Sequence, residues 1–131
     1  MMRIAFLPSD FNPMLLMLGE AEDCRSLAAV LRRFAREGAD VAFAGLGFCR
    51  IKGADILLTA APGVTGVQQC EGHALIWRVP QEQAAGFADR LDDLALPQRI
   101  AGSEDLDCGT GDAIAVRVSR GEYTDDFLDP N

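Results

Sequence analysis

Apolar residues recur three and four positions apart in two stretches of this chain. Cys24, Leu27, Ala28, Leu31, Phe34 and Ala35 form one stripe, and Ala84, Phe87, Ala88, Leu91, Leu94 and Ala95 form another. That spacing stacks six side chains on one side of an α-helix, so helices are predicted from about Glu20 to Glu37 and from Pro80 to Leu96. The first opens on Glu20, Glu22 and Asp23 and closes on Arg32, Arg33 and Arg36, charges that complement the helix dipole at both ends. Gly38 supplies its left-handed stop. Pro80 suits a helix start, where its missing N–H costs nothing, and Pro97 ends the second helix.

The remaining apolar runs are short and read as strands. They are Arg3–Leu7, Met14–Leu18, Ile56–Leu58, His73–Val79 and Asp112–Ser119, with a further edge strand over Gln98–Ala101. In the last long run Ile114, Val116 and Val118 alternate with Ala113, Ala115 and Arg117, the mark of a sheet with one wetter face. Val41 and Phe43 alternate with alanines until Leu46 and Phe48 take over on the opposite parity. One extra residue at Gly45, a β-bulge, accounts for that slip. Lys52-Gly53 then reads as the turn of a hairpin leading into Ile56–Leu58.

The two stripes match without a gap at an offset of sixty positions. The same offset lays Ala74-Leu75-Ile76-Trp77 over Met14-Leu15-Leu16-Met17, and Ile114, Val116 and Val118 over Ala54, Ile56 and Leu58. One offset serving strand, helix and later strand predicts two βαββ-like units, about 14–60 and 74–120, within a single domain spanning 1–131. Because each helix has one apolar stripe to cover, both are expected on one face of a mostly antiparallel sheet, an α+β fold.

Length and composition permit this. A chain of 131 residues, 49% hydrophobic and 24% charged, can bury a core without disulfides or metal. The four cysteines, Cys24, Cys49, Cys70 and Cys108, are too scattered for a zinc or redox pair and are expected as free thiols. Prolines and polar residues from Pro8 to Pro13 break the first apolar run too early for an export signal, and no run approaches bilayer length. A cytoplasmic location, with no membrane contact, is therefore expected. Twelve basic against twenty acidic residues leave a formal charge of −8. That balance lacks the electrostatic footprint of a nucleic-acid binder and points to a basic protein partner. The chain is expected to be a monomer or a homodimer.

The acids concentrate late. From Glu104 to Asn131 eight acids face Arg117 and Arg120, a net −6. Glu104, Asp105, Asp107, Asp112, Glu122, Asp125 and Asp126, with Tyr123 as an apolar anchor, are the candidates for docking a basic protein. Residues 61–72 form the longest stretch without a period. Gly63, Thr65 and Gly66, together with the lone His73, are the candidates for a small ligand, since glycines let backbone N–H groups approach an anion. The run Glu104–Asp112 looks calcium-like, but counting twelve places from Asp105 reaches Val116 where an acid is required. No metal and no cofactor are expected.

Gly72-His73-Ala74-Leu75-Ile76-Trp77-Arg78-Val79, followed by a helix ending Arg90-Leu91, resembles the second module of the glyoxalase/bleomycin-resistance superfamily. That resemblance implies paired βαβββ modules around a cleft, often with a metal held by His and Glu. It would make His73 a ligand and Glu122 a second. No other histidine exists in the chain, and Met14–Leu18 offers no ligand from the first unit.

Three functions follow as expectations. The foremost is a small acidic non-enzymatic interaction domain, of inhibitor or immunity type, engaging a basic partner. The others are a small-ligand domain with its pocket near 61–72 and a glyoxalase-type metal enzyme.

Overall fold

Strand alternation and the two helical stripes build the molecule. Its structure, a computed structural model, describes residues 1–8, 13–52, 55–62, 66–69, 74–106 and 114–121. In chain order the elements are β1 (Met2–Leu7), β2 (Met14–Leu18), α1 (Ala21–Glu37), β3 (Val41–Ala42), a 3-10 turn (Phe43–Gly45), β4 (Cys49–Lys52), β5 (Ile56–Ala60), β6 (Gly66–Gln69), β7 (Leu75–Val79), α2 (Gln81–Leu94), β8 (Gly102–Asp105) and β9 (Ala115–Arg120). The fold is α+β, with both helices packed on sheet.

Among the described residues the strands divide between two sheets. The first, sheet A, runs β4-β1-β2-β9-β8 and the second, sheet B, β3-β5-β7-β6. Four pairings are antiparallel (β1–β2, β3–β5, β6–β7, β8–β9) and three are parallel (β1–β4, β2–β9, β5–β7). Each sheet takes strands from both halves of the chain. The hairpin β1–β2 is completed by β9 and β8 from the far end, while the hairpin β6–β7 is completed by β5 and β3 from the first half. The central parallel pairs share one register: Leu15 lies beside Val116 and Met17 beside Val118, while Leu75 lies beside Ile56 and Trp77 beside Leu58. A single bridge, Val67 to Ile114, links the two sheets among the described residues.

Both helices form where their stripes predict. Glu20 is the N-cap of α1, and the Asp23 carboxylate accepts the Glu20 backbone N–H at 2.9 Å, closing a capping box. The same carboxylate, 7% exposed, lies 3.1 Å from the Met1 ammonium. Gly38 ends α1 at φ 67°, and its N–H donates to Phe34 O. A Cβ there would be strained and would meet Gln81 at 2.9 Å. Pro80 is the N-cap of α2.

The helices run antiparallel. The Gln81 amide at the start of α2 donates to Ala35 O near the end of α1, while Arg25 near the start of α1 donates to Ala95 O. Between them Arg32 bridges Asp89 at 2.8 Å and Asp92 at 2.5 Å. Their buried stripes, including Leu27, Leu31, Phe34, Phe87 and Leu91, join Ile4, Met17, Val118, Leu58 and Trp77 in one core. Ala5, Leu16 and Leu18 are equally buried but stand on the other face of sheet A, outside that core.

Three local expectations are corrected. Gly45 is not a bulge: Phe43–Gly45 is a 3-10 turn that buries Phe43 and releases the chain from sheet B. The next strand, β4, therefore joins sheet A beside β1, and β5 pairs back to β3 with Val41 opposite Leu58. The stretch 61–72, expected to carry no regular period, contains β6, in which only Val67 of four residues is apolar and turned inward. The edge strand expected over 98–101 begins instead at Gly102 and runs to Asp105.

Candidate interaction site

A groove of about 320 Å³ opens where α1 hands the chain to β3. The α1 stripe turns Phe34 into the core, and Val30, one turn earlier, leaves its side chain half-covered on the helix flank. Gly38 reverses the chain so that Val41, Ala42 and Leu46 return alongside that flank. Val30, Phe34, Val41 and Leu46 make an apolar floor, and Ala39, Ala42 and Gly45 keep the walls low. The rim is charged. Arg33 Nε lies 3.0 Å from Glu37 Oε2, and Asp40 accepts the Thr59 hydroxyl at 2.7 Å. Two carboxylates against one guanidinium leave the mouth acidic. Such a shape takes an apolar side chain and pairs with a neighbouring cation.

Of the eight acidic-segment candidates, Glu104 and Asp105 are described, and each meets an arginine. Asp105 takes two hydrogen bonds from Arg117, at 2.8 and 3.3 Å, across the β8–β9 pair, and its carbonyl accepts Arg90. Glu104 lies 3.5 Å from Arg99, which also holds Asp93. Asp107, Asp112, Glu122, Tyr123, Asp125 and Asp126 lie outside the described residues. So do Gly63, Thr65 and His73 of the ligand candidates. Gly66 is described: it starts β6, buried, at φ 148°, paired with Arg78.

Charge is also distributed by sheet face, which the sequence does not display. Arg3, Arg50, Lys52 and Arg117 all project from the outer face of sheet A, around Ala5 and Leu16. The residues that pair across strands place them there, because side chains at paired positions share a face.

Cys24 and Cys49 are free, half or fully buried thiols. Burial above all, with the Asp23 charge behind it, pushes each up to about 11. A nucleophilic cysteine needs the opposite shift, toward thiolate at neutral pH. Among the described residues no group of three or more His, Cys, Asp or Glu is placed to hold a metal, and no helix is long and apolar enough to cross a membrane.

No family model matches this chain, and no curated protein matches it. The groove escaped sequence reading because Phe34 belongs to the stripe bound for the core, while Val30 lies beside that stripe as a single half-buried residue. The one available signal was the alanine- and glycine-rich segment Gly38–Gly47, which lacks the bulk to cover Val30.

Proposed function

We propose that this chain is a non-enzymatic protein-interaction domain that engages a basic partner, with the groove between α1 and β3 as its anchor point. The groove carries the reading. It offers an apolar floor of Val30, Phe34, Val41 and Leu46 beneath the carboxylates of Glu37 and Asp40, so it suits an aliphatic or aromatic side chain flanked by Lys or Arg. The formal charge of −8 supports the same partner, because opposed fields speed encounter and select against acidic competitors. Glu104 and Asp105 are engaged by Arg99 and Arg117, and the remaining acids of that segment contribute to the net charge a basic partner would meet.

The test is co-purification from cells at rising ionic strength, comparing wild type with Leu46→Asp and Glu37→Lys. A basic protein retained by wild type, released by salt and lost from both variants is the expected result. Identical retention by all three proteins overturns the proposal.

The groove volume favours one further reading, a small apolar ligand, most plainly an amine. A thermal-shift screen of small aliphatic and aromatic amines separates the two: a rise in Tm lost in Leu46→Asp supports the ligand, and a flat screen retires it. His73 and Glu122, the residues a glyoxalase-type metal site would use, lie outside the described residues.

A further inference from the structure

The outer faces of the two sheets are built alike and end differently. In sheet A, Leu16 projects from the centre of the outer face and is 1% exposed, and Ala5 beside it is 2% exposed. The centre of that face is covered within the chain, while Arg50 and Lys52 at its edge stay exposed. In sheet B the position sixty residues on, Ile76, projects outward beside Leu57, to which it is paired. Leu57 is 36% exposed and Ile76 half-buried. Ala42 extends the same row from β3 and Gln68 ends it on β6. An apolar centre on a sheet face, ringed by polar groups, has the anatomy of an interface.

We propose that two copies of this chain pair through the outer face of sheet B, about a two-fold axis running along the strands between β5 and β7. An axis there exchanges β5 with β7. Leu57 of one copy then lies over Ile76 of the other, twice, because the two residues are neighbours in one sheet. The row above follows suit. Thr59 and Arg78 are also paired across β5 and β7, so the axis lays Arg78 over the Thr59 of the second copy. Thr59 donates to Asp40 at 2.7 Å, which puts a carboxylate beside the arriving guanidinium. Arg78 is already steadied by Gln68 at 2.6 Å and reaches out from an ordered position. Apolar centre meets apolar centre, and each arriving guanidinium meets the Asp40 carboxylate of the other copy.

The choice of a second copy over an unrelated partner rests on that self-complementarity. A basic partner would find Arg78 opposing it on this face, and an acidic one would find Asp40. Only a surface carrying both signs in the exchanged positions satisfies both.

Sedimentation equilibrium from micromolar to millimolar loading tests the pairing. Wild type is expected to dimerise over that range. Ile76→Glu is expected to weaken the dimer roughly a hundredfold, the scale of losing a central apolar contact. Arg78→Asp is expected to weaken it about tenfold or more, and the swap Arg78→Asp with Asp40→Arg to restore most of that loss. Leu46→Asp, in the groove, is expected to leave the dimer intact, which keeps this result separate from the partner-binding reading. Emission from the buried Trp77 checks that each variant is folded. A wild-type protein that stays at 14.1 kDa throughout overturns the proposal. So does a dimer indifferent to Ile76→Glu, or a swap that restores nothing.

Discussion

Trp77 stacks on Phe87 through the middle of the core, ring centroids 6.3 Å apart and planes 17° from parallel. Phe43 leans on the indole from the other side at 6.2 Å, tilted by 59°. The stack joins β7 to α2, and Phe43 brings in the turn that follows β3, so three separate segments converge on one ring. Arg90 lies over Phe87, 5.8 Å from its centroid, at the exposed edge of the stack.

Trp77 is the only tryptophan, fully buried, with an indole N–H that has no hydrogen-bond partner among the described residues. Its emission is expected at the blue end of the tryptophan range and to move red on unfolding. Phe87→Ala removes the stacked ring from a fully packed site, and its expected cost in urea denaturation is about 3–5 kcal/mol.

Asp23 ties the start of α1 to Met1, the residue just before β1. Asp23→Ala loses the hydrogen bond to the Glu20 N–H and the contact with the Met1 ammonium. A cost of about 1–2 kcal/mol is expected, against roughly 0.5 kcal/mol or less for Glu22→Ala on the exposed side of the same turn. Equal losses for the two variants would count against the capping role.

Cys24 and Cys49 sit near 11 in the folded chain because burial penalises the thiolate. Unfolded, both return to the ordinary thiol value, about 8.5. Between those two points the unfolded chain has lost protons that the folded chain keeps, so stability falls as pH rises through that window and is unaffected below it. Chemical denaturation across that pH range should show the decline, and Cys24→Ala should flatten part of it. At neutral pH both thiols are expected to resist iodoacetamide until the chain is unfolded, as read by mass spectrometry of the labelled peptides.

Because β2 finds β9 and β7 finds β5, neither half of the chain owns a complete sheet. A chain divided between β5 and β6 is expected to give two fragments that lack cooperative unfolding alone and regain native Trp77 emission when mixed. A first fragment that folds alone would refute this dependence.

Legibility in the sequence followed locality. The two helices were readable to within a few residues because their stripes are strict and their ends are marked by Glu20, Gly38 and Pro80. The sixty-position offset seen in those stripes is the offset that relates the Leu15–Val116 and Leu75–Ile56 pairings. Which strands pair was not readable, since a period-two pattern names a face and never a neighbour. The departure of β4 to sheet A turns on the 3-10 turn at Phe43–Gly45, where apolar parity slips exactly as it would at a bulge. The acidity of Glu104 and Asp105 was plain, while their pairing with Arg99 and Arg117 depends on strand register and on the connection before β8. The groove depends on what fails to cover Val30, and an absence of cover leaves no periodic trace.

The interchange of strands also sets a timetable. As the polypeptide leaves the ribosome, Leu15–Leu18 emerges about a hundred positions before Val116 and Val118, beside which it must lie. Throughout that interval the edge of β2 that β9 will occupy has no strand beside it. Trigger-type holding chaperones should therefore matter more to the yield of this small protein than its size alone would imply.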